Sequence, residues 1–429
     1  MENTTKRYSW VVVGLLWVVA LLNYLDRQML STMKPSMQLD IEELQSATNF
    51  GYLMAIFLWI YGLMSPVAGV IADKLNRKWL IVGSLFVWSL VTYAMSHATT
   101  FNQLYVLRAL MGISEALYVP ASLAMIADYH SSKTRSLAIG IHITGFYIGQ
   151  ALGGFGATVA QHFSWQYTFS IFGLIGMLYS LVLAFFLKEK RSHQITQKES
   201  SRQGGLSVLK GLPLLLTNTS FWVILFYFAL PGIPGWAVKN WLPTLFSENL
   251  GIDMAQAGPI ATITIAFSSF AGVILGGMLS DRWSQKNIRA RIYTSAMGVS
   301  LTIPALLLIG YGHSLTQSIM AAVCFGFGFG MFDANNMPIL CQFVSVKYRA
   351  TAYGLMNMVG VFAGALVTDW LGKSTDAGSL GKDFAMLGGI VLLALIIQLS
   401  FLRPKANDFA DKEIQQFIES VGLIRNSVM

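Results

Sequence analysis

GVIADKLNRK at residues 69–78 finds a partial echo in GMLSDR at residues 277–282. In each copy a glycine stands four residues ahead of an aspartate that a basic residue follows: Gly69, Asp73 and Lys74, then Gly277, Asp281 and Arg282. A second pair of segments matches in the same way, Arg135-Ser-Leu-Ala138-Ile-Gly140 with Arg349-Ala-Thr-Ala352-Tyr-Gly354. Counted outward from these motifs, the apolar runs fall into two sets of six, and each motif holds the same ordinal place in its set. Chance does not produce that order at two places, so the chain reads as a parallel internal repeat.

The apolar runs lie near 10–34, 46–72, 78–97, 101–128, 136–161, 165–187, 218–247, 255–280, 290–311, 315–344, 350–371 and 383–402. About 20 apolar residues cross a hydrocarbon core ~30 Å thick. Lipid offers the backbone no partner, so each run reads as a helix. The short alternating segments of a β-barrel are not evident. With 54% hydrophobic and 12% charged residues, the chain has too few charges to solvate a globule of 429 residues, and its mean hydropathy is +0.56. The expected fold is an all-α membrane protein with twelve transmembrane helices in two six-helix halves. Residues 1–187 form the first half, 188–212 a polar linker, 213–403 the second half and 404–429 a tail. The first run leads into Asn23-Tyr24-Leu25-Asp26-Arg27 without a small-residue cleavage site, so it is not a cleavable signal.

Basic residues alternate between the two sides of these spans. Lys6, Arg7, Lys74, Arg77, Lys78, Arg135, Arg282, Arg289, Arg291 and Arg349 share one side, with Lys133 and Lys347 and the linker and tail lysines and arginines. Lys34, Lys373 and Lys382 are on the other. The positive-inside rule then puts both termini in the cytoplasm of a multi-pass inner (plasma) membrane protein. The formal charge of +8 is explained by orientation, and no nucleic-acid partner is required.

Enzyme chemistry finds no foothold. Cys324 and Cys341 form no CxxC pair and read as small core residues, and six scattered histidines lack metal-ligand spacing. No phosphate loop, nucleophile elbow or ATPase motif is found, so no metal or cofactor is expected, and energy for transport would come from an ion gradient or the solute itself. A membrane enzyme or a nontransporting sensor with the same binding site is the alternative class.

Charges inside the spans cost several kcal/mol unless paired or solvated, so they mark function. The first span holds Asp26 and Arg27, and the fourth holds Arg108 and Glu115. Seven residues apart, Arg108 and Glu115 share a helix face about 10 Å apart along the axis. Two acids and two bases suggest pairing that rearranges when an anion or proton arrives, with a static salt bridge as the plainer possibility. Lys239 beside Asn240 in the seventh span could recognise a carboxylate or snorkel to the interface. Asp333, Asn335 and Asn336 give the tenth span a polar middle that suits a pathway lining. His142 reads as a helix contact, Asp369 as interfacial, and Gly326–Gly330 as close helix packing.

Gly69-x-x-x-Asp73-x-x-Asn76-Arg77-Lys78 resembles the cytoplasmic loop signature of the major facilitator superfamily, with Asn76 where a glycine is usual. The resemblance implies a gate: Gly69 and Gly277 let helices approach, while Asp73, Arg77, Asp281 and Arg282 form latches that break when the inside opens. Asn23-Tyr24-Leu25-Asp26-Arg27, Arg108-x-x-x-x-x-x-Glu115-Ala116, Trp241-Leu-Pro243-Thr244 and Gly354-Leu-Met-Asn357-Met-Val-Gly360 resemble the anion:cation symporter branch, which carries sugar acids and other organic anions. That branch implies proton-titrating acids at Asp26 and Glu115. It implies a steadying role for Arg27, a substrate carboxylate on Arg108, sugar hydroxyls on Asn357, and a site shared with Tyr24, Lys239 and Asn240. Expected partners are a small organic anion, protons and membrane lipid, for a monomer working by alternating access. Spinster-type lysolipid carriers share the first-span Asn-Tyr-x-Asp-Arg pattern and the Arg–Glu spacing, and Asn76-Arg77-Lys78 and Glu115-Ala-x-Tyr118 suit them better. An amphiphile is therefore the alternative solute.

Overall fold

The computed structural model describes residues 2–131, 134–189, 215–216, 219–344 and 349–403. Most of the linker, the tail, Lys133, Lys347 and the side chain of Asp73 lie outside the described residues. Fifteen α-helices follow in chain order: α1 Glu2–Thr32, α2 Lys34–Met37, α3 Ala47–Lys74, α4 Arg77–Met95, α5 Phe101–Ala116, α6 Tyr118–Tyr129, α7 Arg135–Gly153 and α8 Gly156–His162. Then come α9 Trp165–Phe186, α10 Thr219–Leu250, α11 Met254–Ser284, α12 Ala290–Tyr311, α13 Leu315–Phe343, α14 Arg349–Asp376 and α15 Leu380–Phe401, a count taken over the described residues. Among these, eleven helical stretches are long and apolar enough to cross a membrane, with α5 and α6 counted as one.

Many helix starts are written in the sequence. Ser46, Asn76, Thr100, Ser164 and Ser314 each accept a backbone N–H with the side chain at the N-cap of α3, α4, α5, α9 and α13. Asn76 thus does local work at the place where the loop signature usually has glycine.

Two of the expected spans are interrupted. The fourth bends at Leu117, because Pro120 has no N–H for the Ala116 carbonyl; the Leu117 N–H bonds the Ser114 carbonyl at 3.3 Å instead. Glu115 therefore sits in the last turn before the bend. The fifth span, expected to run unbroken over 136–161, divides into α7 and α8 at Gly154-Phe155. Gly154 lies against α11, where a Cβ would come within 2.8 Å of the Gly258 carbonyl.

The halves meet through α3 on α14 and α7 on α11. At the face opposite the termini they are bolted together. The Asp376 carboxylate, at the end of α14, accepts from Ser46 Oγ at 2.7 Å and from the backbone N–H groups of Ala47 and Thr48 at 2.7 and 2.8 Å. This is an anion seated on the N-terminus of α3. Gln161 donates to Asp253 at 2.7 Å, and Thr158 and Thr262 bond the carbonyls of Ala255 and Ala151. Burial holds the Lys34 ammonium below the usual lysine range, against the opposing pull of Asp376 and Glu248.

At the face that carries the termini the halves part. Among the described residues nothing lies within 4 Å of a Cβ built on Gly69 or Gly277, so neither glycine makes the close approach expected of it there. Arg77 pairs with Asp128 of α6, within its own half. Asp281 bonds Arg291 at 2.7 Å, again within one half, and Arg282 is exposed. The repeat reappears as a shared device at this face. Arg135 donates to the His130 carbonyl at the end of α6, and Arg349 to the Cys341 and Val344 carbonyls at the end of α13. Each cation satisfies helix C-terminal carbonyls of the preceding span. Cys324 and Cys341 are free thiols.

Candidate functional site

Asn23 and Arg27 are four residues apart on α1, so both face α5. There they converge on one oxygen of Glu115. Arg27 Nε donates to Glu115 Oε2 at 2.5 Å and Asn23 Nδ2 donates to the same oxygen at 2.9 Å. The Glu115 side chain is fully buried, whereas that of Arg27 keeps 11% of its surface exposed. Asp26 turns away toward α4 and accepts from Thr92 Oγ1 at 3.3 Å. Arg108 is buried over Phe57, 4.7 Å from the ring centroid, with Nη1 toward Met111 Sδ at 3.1 Å. Among the described residues neither Asp26 nor Arg108 has an ion-pair partner within 4 Å. The expected four-charge network is therefore one pair and two separated charges.

Arg27 lies beside lining residues of two cavities. Its guanidinium lies 5.2, 4.9 and 4.6 Å from the ring centroids of Tyr24, Phe57 and Tyr61. Tyr24 lines a cavity of about 120 Å³ with Phe146, Tyr147 and Gln150 of α7, Lys239 of α10 and Asp333 of α13. Tyr61 lines a larger one of about 400 Å³ with Ser65 and Gly69 of α3, Pro120 of α6, and Tyr353 and Asn357 of α14. Both cavities draw on both halves, and the larger lies toward the termini.

Several polar atoms here have no protein partner: Arg27 Nη2, Glu115 Oε1, Asn23 Oδ1 and Arg108 Nε. An unmet buried polar group costs about 1–3 kcal/mol. Their concentration around one ion pair leaves two donors and two acceptors ready for a ligand.

The sequence profile of the Major Facilitator Superfamily matches residues 16–368. The chain belongs to the Major Facilitator Superfamily. It is accordingly a multi-pass membrane transport protein and not an enzyme. It is 28% identical to a galacturonate transporter of Dickeya chrysanthemi over 74% of this chain and 95% of that one. Identity to a hexuronate transporter of Escherichia coli (strain K12) is 26%, over 93% and 95% of the two chains. A probable galactarate/D-glucarate transporter, GarP, of the same organism is 24% identical over 91% and 94%. The crystal structure of a bacterial homolog of the human lysosomal transporter Spinster, described as inward-facing and occupied, superposes with a TM-score of 0.75 at 19% identity, covering 94% of this chain and 98% of that one. At that identity the likeness is one of fold.

On this superfamily scaffold some expected ligand residues are occupied otherwise. Asn240 does not line the cavity of its neighbour Lys239. Its Nδ2 donates to Thr368 Oγ1 at 2.8 Å, tying α10 to α14 beside the Trp241 Nε1 bond to the Thr368 carbonyl. Asn357 donates to Ser65 Oγ at 2.8 Å across the halves and lines the larger cavity. Among the described residues this is the inter-half hydrogen bond nearest the termini. Lys239 does face the smaller cavity, with Nζ 5.0 Å from the Trp236 ring centroid and 5.9 Å from that of Tyr24. His142 is a buried contact, 3.3 Å from Ser122 Oγ, and Asp369 bonds Lys373 at 3.0 Å. Sequence reading passed over Gln28, whose Nε2 bonds the Lys239 carbonyl at 2.9 Å, and Gln150, which lines the smaller cavity. The signal was present: each is an amide inside an apolar run.

Proposed function

We propose that this transporter takes up an organic anion together with protons, and that the anion is a carboxylated sugar of the hexuronate, aldonate or sialate type. The observation that carries this is the Arg27–Glu115 pair beside the Tyr24 and Tyr61 rings that line the two cavities, with Arg27 Nη2 and Glu115 Oε1 unspent. A substrate carboxylate and Glu115 compete for one guanidinium. Protonation of Glu115 removes its claim on Arg27, which is then free to bind the anion. Proton and anion thus favour each other's binding, which is the requirement for coupled flux. Arg108 has a different part from the one its sequence pattern implies. Buried over Phe57, which lines neither cavity, it supplies background positive charge to Asp26 and Glu115, and Arg27, beside the cavity-lining rings of Tyr24 and Tyr61, takes the substrate carboxylate. Tyr24, Tyr61, Tyr147 and Tyr353 offer ring faces and hydroxyls suited to a sugar.

Three relatives named for galacturonate, hexuronate and galactarate/D-glucarate transport support the substrate class. With the termini in the cytoplasm of the inner membrane, the larger cavity opens inward and the bolted face is the outer gate. The latch residues Gly69, Asp73, Arg77, Gly277, Asp281 and Arg282 would close the inner face in the opposite state, in a monomer that rocks one half against the other.

A second solute is favoured by one feature. The larger cavity is walled mainly by apolar groups, including Pro66, Val70, Val119, Leu123 and Leu355, and would accept an acyl chain of an amphiphile. Isothermal titration of purified protein with galacturonate, galactose and a lysophospholipid separates the two. A carboxylated sugar bound at least tenfold more tightly than its neutral counterpart supports the anion, and tight binding of the lysophospholipid alone replaces it.

A further inference from the structure

Lys239 and Asp333 face the same small cavity from two helices of the second half, α10 and α13. Neither has an ion-pair partner within 4 Å among the described residues. The carboxylate of Asp333 accepts one side-chain hydrogen bond, from Asn336 Nδ2 at 3.2 Å. Asn336 is held in turn by the Tyr227 hydroxyl, which donates to its Oδ1 at 3.1 Å and contacts Ser295 Oγ at 2.8 Å. A charge placed this deep is costly without a task. Arg27 and Lys239 approach the Tyr24 ring from the two halves, each within 6 Å of its centroid. The chamber therefore offers two cations around one aromatic platform, each accompanied by an acid of its own half.

Resting on the sugar-acid function proposed above, we infer that Lys239 and Asp333 form a second acid–base unit, and that the carrier accepts dicarboxylic sugar acids with one additional proton. Charge balance fixes the stoichiometry. Counted over Asp26, Arg27, Arg108, Glu115, Lys239 and Asp333, the charges buried in and around the chamber are three acids and three bases and sum to zero. One carboxylate bound at Arg27 is balanced by one proton on the acids of the first half. A second carboxylate bound at Lys239 brings a further negative charge into the cavity that Asp333 also faces, and a proton taken up by Asp333 restores neutrality. The groups that face Asp333 are Lys239 and the phenols of Tyr227 on α10, Tyr24 on α1, Tyr147 on α7 and Tyr353 on α14. Lys239 is the one cation in that set, so a carboxylate bound to it changes the charge balance at Asp333 most.

The test is a flux ratio in proteoliposomes that hold a trapped pH dye, with the membrane potential clamped at zero. Radiolabelled galactarate and galacturonate serve as probes. Wild type should carry one more proton per galactarate than per galacturonate. Asp333→Asn, which keeps the side-chain volume, should bring the galactarate ratio down to that of galacturonate. Lys239→Gln should weaken galactarate binding at least tenfold more than galacturonate binding, read by titration in detergent so that a transport defect does not obscure it. Equal proton ratios for the two substrates in wild type, or an unchanged galactarate ratio in Asp333→Asn, overturns the second unit while leaving the sugar-acid function standing. Absence of galactarate flux while galacturonate moves overturns the second unit alone, and absence of flux for both probes overturns that function and the second unit with it.

Discussion

Replacing Glu115 by Gln isolates the competition on which coupling depends. Gln has the shape of the protonated acid and cannot form an ion pair with Arg27. Arg27 Nε donates to Glu115 Oε2 at 2.5 Å, and Asn23 crowds the same oxygen at 2.9 Å. A hydrogen bond to a charged group is worth about 1.5–3 kcal/mol, and the substrate must displace it to bind. Removing the competitor should raise affinity for a sugar acid at alkaline pH by about 10- to 150-fold, at 1.4 kcal/mol per decade. At acid pH, where Glu115 of the wild type is itself protonated, variant and wild type should converge. Stability should move the other way. Breaking a buried pair costs about 3–5 kcal/mol; the cost here is smaller, because Arg27 keeps 11% exposure and lies over three aromatic rings. The variant should therefore melt lower when empty and gain more from ligand. Titration calorimetry with galacturonate at acid and alkaline pH, paired with thermal unfolding, reads both effects. In vesicles the variant should still exchange labelled for unlabelled substrate but lose accumulation driven by a pH gradient. A variant whose affinity keeps the wild-type pH slope would refute the competition, and so would unchanged gradient-driven accumulation.

Further outcomes follow from the same geometry. Arg27→Lys should lose sugar-acid affinity by about 1.5–3 kcal/mol, because Lys lacks the planar fork; titration should show a smaller loss for Arg108→Lys, and the reverse order would restore Arg108 as the carboxylate ligand. Asp376→Ala removes the acceptor of three hydrogen bonds that join the halves at the face away from the termini. Spin labels across that face should report a larger open population, and an unchanged distance distribution would make Asp376 a local helix cap only. Pro120→Ala should let the Leu117 bend straighten, moving Glu115 relative to Arg27, with slower transport at near-native folding; transport at the wild-type rate would make the bend incidental.

Much of the fold was legible because the bilayer leaves few choices. A run of about 20 apolar residues has one solution, and the paired motifs at Gly69 and Gly277 divided the runs into halves. Charges were legible for the same reason: Asp26, Arg27, Arg108 and Glu115 stand out in spans where a charge is expensive. Direction was harder to read. Lys239 and Asn240 are neighbours about 100° apart around a helix, and the partner that claims Asn240, Thr368, lies far along the chain. The turn of Arg108 toward Phe57 depends on how α3 packs against α5, which spacing along α5 does not encode. The Leu117 bend could have been read from Pro120. The division at Gly154 could not, because it depends on Gly258 in the other half. Asp376 looked like an ordinary loop acid until α3 was brought to meet it.

Uptake of labelled galacturonate into proteoliposomes under an inward-directed proton gradient tests the central claim most directly. The expected result is accumulation above equilibrium that collapses when a protonophore dissipates the gradient and that exceeds uptake of galactose. Binding without flux would indicate a sensor. Flux of galacturonate no greater than in protein-free vesicles, with movement of lysophospholipid instead, would contradict anion transport and assign the chamber to an amphiphile.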